Sequence, residues 1–326
     1  MKHHVIQCRT IVMILSDTAS MHLSAQQDIG LRMTNRDIAR EISYASSAQS
    51  RGGRALIRAL ENVTGRLSLI RRAAGYEDDV AQGQNFWDVI VDRYGLSLEI
   101  IGGALANIPA NGPLVLIANH PYGILDGLMM GHLLHKVRGD FRILANSVFR
   151  RAEDLNKVLL PISFDETKEA VKLNLQTRSD ALSYLGQGGA IGVFPGGTVS
   201  TSMRPFSRPM DPGWRNFTAK MIAKSDATVV PIYFSGHNSR LFQLASHMHY
   251  NLRLGLLIKE FHARIDEPVQ LVVGEPIASA QLQPLKSDPK AMMEYLRKAT
   301  YALSPNPVKS YGLGYEFEAK YKSQHG

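Results

Sequence analysis

The chain has 326 residues, 44% of them hydrophobic, enough to bury the core of one large domain with appendages. Its single cysteine, Cys8, excludes a disulfide framework and a multi-cysteine zinc site, and points to a reducing compartment. The net charge of +8 is concentrated at the front, where residues 1–75 hold eleven Lys/Arg and five Asp/Glu. Such a balance suits nucleic acid, an anionic membrane or an acidic protein partner.

In chain order, the first apolar run is Ile11–Leu15. It is too short for a secretory core, and Cys8 precedes it, so neither a signal peptide nor a lipoprotein cysteine is expected. Met21 and Met33 are alternative starts. No run nears the roughly 18–20 apolar residues of a membrane span. Residues 1–84 read as a basic, largely helical N-terminal extension. Within it Leu56, Leu60, Val63, Leu67, Ile70 and Ala74 recur at steps of three and four, the period of a helical apolar stripe. Arg54, Arg58, Arg66, Arg71 and Arg72 flank the stripe. Two readings follow: a helix packed on the domain with its basic side in water, or a helix lying on an anionic membrane. Gly65 weakens an unbroken helix.

From Phe86 the texture changes to short apolar runs alternating with helical stretches. The runs are "LSLEIIG", "LVLIA", "FRILA", "VLLPISF", "AIGVF", "TVVPIYF" and "VQLVVG", with a long helix expected over 165–185. The pattern predicts an α/β domain over 85–280, with a mixed, largely parallel sheet flanked by helices. Residues 281–326 read as a C-terminal helix and a tail that frays or wraps the domain. Ligands of such sheets sit beyond the carboxyl ends of strands.

Two strand ends carry chemistry. "LVLIANHPYGILDG" leaves its strand into Asn119-His120, and Asp126 follows six residues after the histidine. The aspartate can turn back to hold one ring nitrogen while the other takes a proton, the arrangement that activates a nucleophile. The motif holds no Ser or Cys, and Tyr122 is a weak nucleophile, so the substrate would bring the hydroxyl. The alternative is a histidine that merely enters a helix. "AIGVFPGGTVS" ends in Pro195-Gly196-Gly197-Thr198, where glycines permit a tight turn and backbone amides could meet an oxyanion. The frame lacks the lysine of a nucleotide-binding loop, which rejects nucleotide hydrolysis. His132/His135 and His247/His249 lack a third ligand at recognisable spacing, so no metal is expected. No nucleic-acid-binding motif appears.

Taken together, "NHPYGILDG", "VFPGGTVS" and "VVPIYFSGHNS" resemble the glycerolipid acyltransferases of the lysophosphatidate acyltransferase type. His120 to Asp126 has one residue more than that family's usual spacing. It is similar to a bacterial, hemolysin-like branch that includes acyltransferases of amino-acid lipids such as lyso-ornithine lipid. "LRLGLLIKEF" and "VQLVVGEPI" look like the same branch, and the resemblance spans about 85–280. It implies an O-acyltransferase moving a fatty acyl group from a coenzyme A or acyl-carrier-protein thioester to a lysolipid hydroxyl, with no cofactor, no metal and no covalent enzyme intermediate. His120 would be the general base and Asp126 its partner. Asn119, Gly123, Asn146, Arg150, Phe194, Pro195, Gly196, Gly197, Thr198, Arg204 and Asn238 would line the substrates, with His237 incidental; the alternatives are a turn residue at Asn146 and a loop-ordering one at Asn238. The enzyme would sit peripherally on the cytoplasmic face of the membrane, without a spanning helix, on an anionic lipid surface and not on nucleic acid.

The resemblance also has gaps. The family's Phe-Pro-Glu-Gly-Thr-Arg reads here Phe194-Pro195-Gly196-Gly197-Thr198-Val199. Its arginine is associated with the acceptor's phosphate, and valine offers neither charge nor donor. Either Arg204 or Arg208 replaces the lost charge, or the acceptor carries no phosphate there, as in a lyso-amino-acid lipid. A non-catalytic lipid-binding protein on the same fold is the remaining reading.

Overall fold

The structure is a computed structural model that describes residues 42–48, 50–146, 153–163 and 167–316. Strands in chain order are β1 (Ser97–Gly102), β2 (Leu114–Ala118), β3 (Arg142–Asn146), β4 (Leu159–Ile162), β5 (Ala190–Val193), β6 (Thr201–Ser202), β7 (Pro209–Met210), β8 (Thr228–Phe234) and β9 (Pro268–Val273). Seven of them form one sheet in the order β1-β9-β8-β2-β5-β3-β4, while β6 and β7 pair as a short hairpin. Every pairing in the large sheet is parallel except β8 with β9. The seven apolar runs are these seven strands, and the sheet is mixed and largely parallel, as expected.

β2 is buried at all five positions, as a central parallel strand with both faces covered should be. Its even residues Leu114, Leu116 and Ala118 join the core on one face, its odd residues Val115 and Ile117 the core on the other. The first face is covered by α4 (Phe86–Arg93) and α5 (Ile124–Arg138), through Trp87, Met129, Met130 and Leu133. The second is covered by α7 (Lys168–Gly186), α8 (Asn216–Ile222) and α12 (Pro289–Ala302), through Leu185, Ile222, Met292 and Leu296. Beyond α12 the chain wraps the domain: Gly314 N–H donates to Asp211 O at 2.8 Å and Tyr315 N–H to Thr201 O at 3.1 Å.

The arm departs from its simple reading. Its described part holds a short turn of 3-10 helix (Ala45–Ser47), then α1 (Arg51–Val63) and α2 (Arg66–Ala73), broken at Thr64-Gly65, and α3 (Tyr76–Ala81). α1 packs on α10 (Tyr250–His262). The inward positions are Gly53, Ile57 and Glu61, then Arg66, Leu69 and Ala73. Glu61 accepts from Ser43 Oγ and Tyr44 N, both at 2.6 Å, and Arg66 reaches Ile42 O and Asn62 Oδ1 at 2.8 and 2.9 Å. This buried polar set takes the inward face and turns much of the expected stripe outward. Leu56, Val63 and Leu67 are 41%, 87% and 54% exposed. Arg72 is committed to Asp266, while Arg54 and Arg71 lie on the surface. Among the described residues no helix is long and apolar enough to cross a membrane.

Candidate active site

β2 and β5 lie side by side with Ile117 opposite Val193, so the residues after both strands emerge together at the carboxyl edge. From β2 the chain continues to β3 on one side, and from β5 to β8 on the other, which makes this the crevice where a parallel sheet binds ligands. Asn119-His120 and Phe194-Pro195 meet there. The His120 ring stacks on Phe194 with centroids 4.4 Å apart.

The His120–Asp126 turn is built by its backbone. Gly123 is the N-cap of α5 with φ 90° and ψ −120°, a conformation closed to side-chain-bearing residues. Asp126, at the third helical position, accepts from Tyr122 N–H at 2.8 Å and Gly123 N–H at 2.9 Å, both on Oδ2. The same oxygen lies 3.0 Å from His120 Nδ1, with the ring 18% exposed and the carboxylate sealed. The contact is an ion-pair approach and not a fully aligned hydrogen bond. Asp126 Oδ1 is buried with no partner among the described residues. Burial raises the Asp126 carboxyl above its ordinary range, opposed by the His120 ring and the two backbone donors. With Nδ1 turned to the carboxylate, Nε2 is the nitrogen left to meet a substrate. Tyr122 is no nucleophile: burial pushes its phenol up to about 12, and its hydroxyl donates to Ser235 O at 2.6 Å.

The glycine turn is equally determined. Gly197, at φ 69°, donates its N–H to Phe194 O at 3.0 Å, closing the turn. That amide is therefore not an oxyanion donor. Thr198 and Val199 are held by Arg253 of α10, whose Nη2 donates to Thr198 Oγ1 at 3.3 Å and Val199 O at 2.8 Å. Its Nη1 donates to Thr201 Oγ1 and Ser246 Oγ at 2.7 and 2.8 Å. Burial lowers this guanidinium to about 9, still charged at neutral pH. A cavity of about 640 Å³ opens beside the turn, lined by Phe194, Pro195 and Gly197 with Leu144, Ile162 and Trp214.

The remaining expected site residues divide. Asn119 spends its amide on the backbone of Phe234, donating to its O at 2.9 Å and accepting from its N–H at 2.7 Å. That bidentate bond ties the end of β2 to β8, so Asn119 positions the edge. Asn146 ends β3, and Arg150 lies outside the described residues. Arg204 sits exposed at the tip of the β6–β7 hairpin, and Arg208 donates to Ser304 Oγ at 2.8 Å and Tyr233 Oη at 3.0 Å. Asn238 is 1% exposed, and neither polar atom of its side chain has a partner among the described residues. Its loop abuts the His120 turn, since a Cβ on Gly236 would stand 1.9 Å from Tyr122 Oη. Sequence reading missed Arg253 and Asp211. Both reach the site only through tertiary contacts; Asp211 lies in no quoted motif, and Arg253 lies within "LRLGLLIKEF", a segment that carried the resemblance without marking the arginine.

A family model for acyltransferases matches residues 79–308. The chain belongs to this acyltransferase family. The match contains both strand-end motifs, so this edge is the candidate active site of an acyl-transfer enzyme. Lyso-glycine lipid O-acyltransferases from Phocaeicola vulgatus and Bacteroides thetaiotaomicron are 25% and 23% identical over 232 and 235 residues, covering 68% of this chain and 78% and 80% of theirs. The lysophosphatidate acyltransferase PlsC of Thermotoga maritima is 14% identical, with a TM-score of 0.42 over 78% of this chain and 98% of that one.

Proposed function

We propose that this acyltransferase moves a fatty acyl group from an acyl thioester to the hydroxyl of a lysolipid whose headgroup is an amino acid. The observation that carries the reading is the His120–Asp126 pair, sealed on its acid side and open on Nε2, with no nucleophilic side chain in its turn. His120 Nε2 takes the proton of the lipid hydroxyl as its oxygen attacks the thioester carbonyl. Asp126 holds the ring and balances the imidazolium. The tetrahedral intermediate then expels the thiol sulfur, which leaves with the proton from His120. The donor is a coenzyme A or acyl-carrier-protein thioester, and the cavity beside Phe194, apolar at Leu144, Ile162, Val193 and Trp214 and polar at Asn174, Arg215 and Lys290, has a size suited to part of such a ligand.

The acceptor reading rests on Val199. Its side chain faces Gly123 across 3.2 Å from where a Cβ would stand, and it brings no charge to the turn. Arg208 is tied to the C-terminal segment and Arg204 points from a hairpin tip, so neither stands in as a phosphate clamp. The related lyso-glycine lipid acyltransferases favour the same class of acceptor. The outward Leu56, Val63 and Leu67 beside Arg54 and Arg71 support peripheral attachment to an anionic membrane.

The test offers lyso-glycine lipid, lyso-ornithine lipid and lysophosphatidate in parallel, each with both donors. Preference for lysophosphatidate, abolished by Arg204→Ala or Arg208→Ala, overturns the acceptor reading. For attachment, the triple change Leu56→Ser, Val63→Ser, Leu67→Ser is expected to weaken sedimentation with anionic vesicles and to leave transfer in detergent micelles intact. Unaltered sedimentation places the membrane contact elsewhere.

A further inference from the structure

Gly196 has no positive φ that demands glycine, so its missing side chain needs another reason. A Cβ built there stands 3.2 Å from Asp211 Cβ, 3.3 Å from its Cγ and 3.4 Å from its Oδ2. The space a side chain at 196 would enter is filled by the carboxyl group of Asp211, which follows β7 and is fully buried. That carboxylate reaches directly to the catalytic segment. Its Oδ1 accepts from the His120 backbone N–H at 3.2 Å and from Ser200 Oγ at 2.5 Å, and Ser200 N–H donates to His120 O at 2.8 Å. His120 is thus held on both sides of its main chain by one ring of hydrogen bonds. Asp211 Oδ2 accepts from Trp214 Nε1 at 2.9 Å. Its backbone is fixed in turn: its N–H donates to Tyr301 Oη at 2.7 Å, and its carbonyl accepts from Arg297 Nη2 at 3.0 Å and Gly314 N–H at 2.8 Å.

We propose that Asp211, just after β7, is a positioning residue for His120, and that Gly196 is glycine in order to admit its carboxyl group, so that a carboxylate borne at 196 would occupy the same space. Asp126 sets the ring, and Asp211 sets the main chain from which the ring projects. The inference rests on His120 being the working base, and so on the proposed function. A small rotation of that main chain moves Nε2 away from the acceptor hydroxyl, and a misplacement of about 1 Å is worth roughly 100-fold in rate.

The experiment compares wild type, Asp211→Asn, Gly196→Glu and the exchange Gly196→Glu/Asp211→Gly. Each is measured for acyl transfer and for amide hydrogen exchange at His120 in protein labelled with ¹⁵N-histidine, the signal being assigned by its loss in His120→Gln. Asp211→Asn is expected to lower kcat by about 10–100-fold with KM nearly unchanged, and to speed exchange of the His120 amide. Gly196→Glu alone is expected to impair transfer, and the exchange variant to recover at least about tenfold over it, the inverse of part of that loss. Wild-type kcat and unchanged exchange in Asp211→Asn overturn the proposal. An exchange variant no better than Gly196→Glu overturns the spatial substitution. Should Asp211→Asn fail to fold in a thermal melt, Ser200→Ala takes its place: a kcat lowered severalfold at constant KM supports the ring of hydrogen bonds, and an unaltered kcat overturns it. If wild type transfers to no lysolipid, the functional reading fails, while His120 amide exchange still decides whether Asp211 holds that segment.

Discussion

Two histidine–aspartate pairs flank the same helix, and their environments are opposite. At the start of α5, His120 Nδ1 lies 3.0 Å from an Asp126 carboxylate with no exposed side-chain surface, and the ring is 18% exposed. Along α5, His132 Nδ1 lies 3.3 Å from Asp88 of α4, whose carboxylate is 50% exposed while the ring is 5% exposed. In the first pair the acid is sealed and the ring faces outward. In the second the ring is sealed and the acid faces water. Spacing and residue type alone do not make a site. What matters is which partner is withdrawn from solvent: a sealed carboxylate keeps its full effect on the ring, whereas an exposed one is screened.

The sharpest way to break the comparison is to remove each member of the first pair. His120→Ala is expected to lower transfer by about 10²–10⁴-fold, the usual worth of a positioned base. Asp126→Asn is expected to impair transfer without harming the fold, since an amide oxygen can still accept from Tyr122 and Gly123 N–H. The sign of its stability effect follows from burial. A carboxyl raised in the fold above its unfolded value releases its proton less readily when folded, so the group weakens the fold as pH rises through that window. At neutral pH, Asp126→Asn should therefore melt at or above the wild-type temperature. A folded Asp126→Asn of normal activity would sink the pairing, and a large drop in its melting temperature would show the carboxylate to be a structural cap.

A second test asks what shapes the facing turn. Arg253→Met leaves Thr201 Oγ1, Ser246 Oγ and Val199 O without their buried donor, which is expected to destabilise by about 2–4 kcal/mol. Arg253→Lys, with fewer donors and no planar fork, should restore only part of it. Chemical denaturation measures both. Wild-type stability in Arg253→Met would mean that the turn is held by its glycines and not by α10.

How much of this was legible follows from contact distance along the chain. The seven strands were readable because each is a short apolar run whose burial is local to itself. The His120–Asp126 turn was readable because six residues close it. Asp211 was not: it lies fifteen residues after Gly196, and only the fold brings its carboxyl into the space the glycine leaves. The arm shows the converse limit. Apolar periodicity placed the stripe through Leu56, Val63 and Leu67, but the buried Glu61 and Arg66 occupy the inward face, which no hydropathy count favours. The family resemblance implies that Asn119 lines the substrate. Its bidentate bond to Phe234, 115 residues away, gives it another task.

The smallest expected effect comes from the second pair and serves as its control. His132 has its pKa lowered, first by burial and then by Lys136, with Asp88 and Asp92 opposing and His135 adding to the shift. A histidine whose folded pKa lies below its unfolded value binds a proton more readily when unfolded. Stability from keeping it neutral is therefore present above the ordinary value of about 6.5 and is lost as pH falls through that value toward the folded one. Wild type should melt at lower temperature on acidification across this range, and part of that loss should vanish in His132→Gln. The expected difference is small, about 1–3 °C, because the exposed Asp88 partly stabilises the imidazolium. Acyl transfer at neutral pH should be the same in both proteins. Loss of transfer in folded His132→Gln would overturn the distinction between the pairs, for it would show that a sealed ring beside an exposed acid also serves the reaction.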